Sequence, residues 1–155
     1  MAITDFFDTF NKVHLSGVID DPIVTDADGT PNRVLELDRE NTVDITWRIT
    51  SDDPDMNPAT YSNGKWVIQL SFESFGTALE FELDPEEVLL ADANPKTKAL
   101  CEWKKQIKIP ANKAEESVYK MVTLITYRDD DGNRGSMAGF SEGPVLTFYK
   151  DTGTP

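Results

Sequence analysis

Cysteine and histidine are nearly missing from this sequence: Cys101 and His14 are its only examples among 155 residues. A single cysteine allows no intrachain disulfide, so the chain is not a small disulfide-stapled scaffold and fits a reducing compartment. One Cys and one His cannot supply the three or four nitrogen and sulfur ligands of a usual zinc site. Catalysis by a Ser/His/Asp or Cys/His set would have to use His14, which sits between Val13 and Leu15 in an expected strand. No apolar run approaches the roughly 20 residues that span a bilayer. The opening Met1-Ala2-Ile3-Thr4-Asp5 has no basic region ahead of an apolar one, so no signal peptide is read. The expected location is cytoplasmic, or exported by another route as part of an assembly.

Positive charge is also scarce. Lys and Arg number 15 against 28 Asp and Glu, a net charge of −13. That sign repels nucleic-acid phosphates and anionic lipid headgroups. The excess is concentrated early, with 13 acids and 4 bases in residues 1–60. No Gly-rich phosphate loop and no G-x-S-x-G elbow occurs.

What the sequence does hold is alternation. In 42–50, Val43, Ile45, Trp47 and Ile49 point one way and Asp44, Thr46 and Arg48 the other, which marks a half-buried strand. The same period of two sets Trp66, Ile68, Leu70 and Phe72 on one face of 65–75. It puts Leu79, Phe81 and Leu83 on one face of 78–83, and Cys101, Trp103, Lys105, Ile107 and Ile109 on one face of 100–110. Further strands are expected at 13–19, 33–37, 118–128, from 136 and at 145–149. Asp26-Ala27-Asp28-Gly29-Thr30-Pro31 and Asp129-Asp130-Asp131-Gly132-Asn133 read as turns, the second a hairpin signal. Seven or eight short strands separated by turns predict an all-β antiparallel sandwich. Its expected core brings together Trp47, Ile45, Ile68, Leu70, Val122 and Leu124.

Two segments predict helix. Ile3, Phe6, Phe7, Phe10 and Val13 follow i, i+3, i+4, i+7, an amphipathic arm over 1–12 leading into a domain of 13–150 and a tail of 151–155. Such an arm covers its own domain or a neighbouring subunit. Asp84-Pro85-Glu86-Glu87 has a cap, a proline at the first helical position and a reciprocal glutamate, so a short helical insert over 84–92 is expected.

The strand layout resembles the immunoglobulin-like and fibronectin type III-like sandwiches. The resemblance rests on the early strand Val43-Asp44-Ile45-Thr46-Trp47 with its core Trp. It rests also on the late strand Val118-Tyr119-Lys120-Met121-Val122-Thr123-Leu124-Ile125 and the Asp-Gly turn after it. It implies that Tyr119 is a corner tyrosine whose hydroxyl bonds back to the backbone. The chain departs from the immunoglobulin pattern in lacking paired cysteines, and the fold would not name a function.

Candidate chemistry is sparse. Asp26 and Asp28, and Asp129 and Asp131, lie in loops that partly match a calcium loop, with Asp52, Asp53 and Asp55 as further oxygens. The match is incomplete: its first Asp falls on Val24 and Tyr127, and its bidentate Glu on Leu35 and Ala138. A turn role competes with calcium there. Glu80 and Glu82 read as a solvated strand face and Cys101 as a buried thiol. Lys104, Lys105 and Lys108 belong to the one basic stretch, read either as edge protection or as a contact for an acidic partner. The expected function is non-catalytic: a structural or adaptor protein that binds other proteins or a second copy through Ile3, Phe6, Phe7, Phe10, Lys104, Lys105 and Lys108. The alternative is a carbohydrate-binding module with calcium in the acidic loops and Trp66 or Trp103 as platform.

Overall fold

Alternation becomes two packed sheets in a computed structural model that describes residues 6–8, 15–53, 57 and 63–152. The first sheet is built on three long strands: β6 (Lys65–Ser74), β10 (Ser117–Arg128) and β11 (Arg134–Tyr149). β10 lies antiparallel between the other two, with Leu124 opposite both Gln69 and Phe140. The outer edge of β11 carries β1 (Phe6–Asp8), antiparallel, and β4 (Val34–Glu36), parallel. The outer edge of β6 carries β7 (Phe81–Glu82) and β8 (Glu86–Leu89). In the second sheet β5 (Asn41–Ser51) is central. β2 (Leu15–Ile19) and β3 (Ile23–Thr25) share one of its edges, and β9 (Leu100–Ile109) runs along the other. The architecture is therefore an all-β two-sheet sandwich.

The inward residues of β5, β6 and β9 are those their alternation predicts. Trp47, Trp66 and Trp103 are fully buried and meet at the centre, with ring centroids 5.1 to 6.3 Å apart. Trp103 Nε1 donates to the Leu90 carbonyl at 3.1 Å. Tyr127 packs edge-on against Trp66. A Cβ at Gly64 or Gly135 would fall inside the Tyr127 ring, so both positions need glycine for close approach.

β10 takes the opposite register from the one expected. Tyr119, Met121, Thr123 and Ile125 face inward, while Val122 is half-buried and Leu124 is 43% exposed on the outer face. Both faces of this strand are apolar enough to bury, so hydrophobicity alone does not choose. Charge does. Inward Val122 and Leu124 would carry Lys120 inward with them, and burying an ammonium costs far more than burying the Thr123 hydroxyl. Lys120 instead lies outside, 3.4 Å from Glu73 and 3.6 Å from Glu142.

Neither predicted helix is seen among the described residues. Phe6–Asp8 forms β1, paired through its backbone with Ala138–Phe140 of the same chain; Ile3, Phe10 and Val13 lie outside the described residues, as does His14. A helix of about ten residues is marginal alone, and the free edge of β11 offers ladder bonds instead. In 84–92 the capping box does not form. Glu86–Leu89 pairs with Lys65–Ile68 and leads into a single 3-10 turn at Leu90–Asp92. Val88 and Leu90 stand two residues apart and are both buried, a spacing that suits a strand. Within 78–83 only Phe81–Glu82 is strand, and Leu79 is exposed rather than inward.

Candidate interaction surfaces

With the inner faces spent on the core, the outer faces differ. The second sheet presents Thr42, Asp44, Thr46, Arg48, Glu102, Lys104, Gln106 and Lys108. Arg48 grips the Asp20 carboxylate with two nitrogens at 2.8 to 2.9 Å and lies 3.7 Å from Glu102. The first sheet presents Val67, Val118, Val122, Leu124 and Val145 on adjacent strands, among Gln69, Ser71, Glu73, Lys120, Thr126 and Glu142. Leu124, Val118 and Val145 are each more than a third exposed. Only Lys120, with its two glutamates, interrupts that apolar run on β10 between Val118 and Val122.

The three lysines of β9 do not form one patch. Lys104 and Lys108 project from the outer face, with loose ion pairs to Glu102 at 3.8 Å and Glu40 at 3.9 Å. Lys105 points the other way and reaches Glu86 of β8 at 3.6 Å, bridging the two sheets along one open side of the sandwich. Beside that bridge runs a shallow groove of about 320 Å³ between Leu83, Asp84 and Glu86 on one wall and Gln106, Ile107, Lys108, Pro110 and Lys113 on the other.

Both acidic loops are turns of one design. Asp26 Oδ1 accepts the Asp28 and Thr30 N–H groups, each at 3.0 Å, and Gly29 takes φ +86°. Asp129 Oδ1 accepts the Asp131 and Asn133 N–H groups at 3.0 and 2.9 Å, and Gly132 takes φ +82°. The positive φ makes glycine the natural residue at each fourth place. The Thr30 N–H above all, with Asn32, Asp28 and Arg39 adding to it, holds the Asp26 carboxyl below its ordinary range against the opposing effect of burial. Asp28 pairs with Arg39 at 3.0 Å. Among the described residues no three His, Cys, Asp or Glu side chains converge as metal ligands. The D-x-D-G pattern is thus accounted for by turn chemistry.

Trp66 and Trp103 are buried, so neither can serve as a sugar platform. Cys101 is buried too; burial pushes its thiol up, and its Sγ lies 3.3 Å from the Thr97 carbonyl. Tyr119 is fully buried, and its hydroxyl donates to the Leu79 carbonyl at 3.0 Å and accepts the Glu115 N–H at 3.1 Å. The features missed from sequence were the apolar outer face and the bridging role of Lys105. The signal for the first was present in the two-sided apolar content of 118–125.

No family model matches the chain. No curated protein matches it either. A β-glucosidase from Erythrobacter marinus overlays on 87% of this chain at 14% identity with a TM-score of 0.47. This chain spans 16% of that enzyme's chain. No helix among the described residues is long and apolar enough to cross a membrane.

Proposed function

We propose that this chain is a fibronectin type III-like or immunoglobulin-like sandwich serving as a non-catalytic protein-binding module, with the outer face of β6–β10–β11 as its docking surface. Three features support the fold reading. β5 and β9 share one sheet with β2 and β3, while β6, β10 and β11 form the other. β4 crosses over to run parallel to the last strand. Tyr119 bonds back to the backbone four residues earlier, as a corner tyrosine does.

The observation that carries the functional reading is Leu124, 43% exposed on the middle strand of the sheet between Gln69 and Phe140, with Val122 two residues along the same face. Single exposed apolar residues are ordinary; here Leu124, Val118 and Val145 are all exposed on one face, divided by the Lys120 ion pairs, and that recurrence favours a contact with another protein. Placing a photo-crosslinking residue at position 124, and separately at Thr46 on the opposite face, tests this in cells that make the protein. Position 124 is expected to capture a discrete partner band and position 46 much less. Equal capture at the two positions refutes the reading. Sedimentation at rising concentration then tells whether the partner is a second copy.

A further inference from the structure

Beyond that face, the open edge of β9 has a chemistry of its own. In an antiparallel ladder, alternate residues of an edge strand bond to the neighbour, and the rest aim N–H and C=O outward. Glu102 fixes the phase here. Its carbonyl accepts the Asn94 N–H at 2.6 Å and its N–H donates to the Pro95 carbonyl at 3.1 Å, both on the side away from β5. The backbone groups of Lys104, Gln106 and Lys108 therefore aim the same way, and none has a partner among the described residues. The edge is open over these residues and lies beside the groove of about 320 Å³.

We propose that this edge accepts an extended peptide as an added antiparallel strand, acidic at alternate residues and apolar between them. Backbone groups would supply the pairing, and the side chains would supply the selection. On the outer face the added strand meets Lys104 and Lys108, both mostly exposed and held by glutamates only loosely. Opposite charge across a strand pair is favourable and like charge is not. On the inner face its apolar residues meet the groove wall at Leu83, Ile107 and Pro110. A second copy does not fit the same edge. Antiparallel pairing of two β9 strands about Gln106 sets Lys104 opposite Lys108 of the other copy, twice. Edge lysines commonly block pairing between sheets; here they would block basic and neutral strands and admit acidic ones.

The test uses the whole chain, 15N-labelled, with a synthetic capped peptide Glu-Val-Glu-Val-Glu-Val-Glu and its Lys-for-Glu counterpart. Binding of the acidic peptide should slow amide exchange at Lys104, Gln106 and Lys108 by at least about tenfold and weaken with salt. The lysine peptide should leave those amides unchanged. Gln106→Pro removes one outward N–H without touching the ladder to β5, at an edge position where proline is tolerated. It should abolish the protection while the tryptophan core keeps its near-UV signal. Should that variant not fold, the double variant Lys104→Glu, Lys108→Glu answers the same question, since it should lose the acidic peptide and gain the basic one. Three results each overturn the proposal: no binding of the acidic peptide at about 1 mM, binding without protection at these amides, or equal binding of both peptides.

Discussion

The two sheets agree on the inside and disagree on the outside. Inward, β5, β6 and β9 alternate in the same way and bring three tryptophans together. Outward, one sheet carries Arg48 between Asp20 and Glu102, and the other carries an exposed Leu124 between Gln69 and Phe140. Inner faces answer to folding, because a sandwich lacking either one has no core. Outer faces are under no such demand, so a difference between them reports what the surface is used for. On the proposal made above, the more apolar one is the docking face.

The largest effect should come from breaking what the sheets share. Trp47→Ala removes the ring that stacks on Trp103 at 6.3 Å and meets Trp66 edge-on. It should cost about 3–5 kcal/mol in urea unfolding, and a loss below 1 kcal/mol would mean the tryptophans do not form one centre. Next comes a direct contrast on a single strand. Ile125→Ala, on the inner face, should cost about 2–5 kcal/mol. Leu124→Ala, one residue away and facing out, should stay within about 0.5 kcal/mol. Equal losses at both positions would erase the division between inner and outer faces.

That contrast marks the limit of what sequence alone conveys. Strands β5, β6 and β9 were legible because each has one apolar face and one polar face, so register follows from period. β10 was not, since Val118, Val122 and Leu124 compete with Tyr119, Met121 and Ile125, and only the placement of Lys120 decides. The 84–92 segment misled for a different reason. Its cap residues are local signals, whereas the strand it forms depends on β6, about 20 residues earlier. The sequence of the acidic loops allows turns or calcium sites, and the hydrogen bonds from their own backbone favour the turn. The surfaces were harder still. An exposed apolar face becomes visible only once the other face is known to be buried.

Tyr119 sharpens the comparison through chemistry rather than area. Tyr119→Phe keeps the ring packed against Phe81 and Phe148 but removes the hydroxyl shared by Glu115 and Leu79. The Leu79 carbonyl and Glu115 N–H then lose a partner, so the expected cost is about 1–3 kcal/mol. Faster amide exchange should be confined to residues near 79 and 115. Loosening spread over the whole sheet would make Tyr119 a packing residue and weaken the corner reading.

The smallest effect concerns the turn that the two sheets share, Asp26 after β3 and Asp129 between β10 and β11. Asp26 is half-buried, and its folded carboxyl ionises below the ordinary 3.8, chiefly because the Thr30 N–H bonds the charged form. A depressed folded value means the charge stabilises the fold above the ordinary carboxylate range and that this contribution disappears as pH falls through the folded value. Asp26→Asn keeps an oxygen that can accept from Asp28 and Thr30 but has no charge to lose. Urea midpoints of the two proteins should therefore differ slightly and constantly from pH 7 to about 5, then converge under acid. A difference that persists unchanged to the lowest pH would show that Asp26 acts by shape alone. The same measurement at neutral pH with calcium, and with magnesium at matched ionic strength, should give equal midpoints. A rise with calcium alone would turn the loop from a turn into a metal site and make it, not the apolar face, the feature that most distinguishes the two ends of the sandwich.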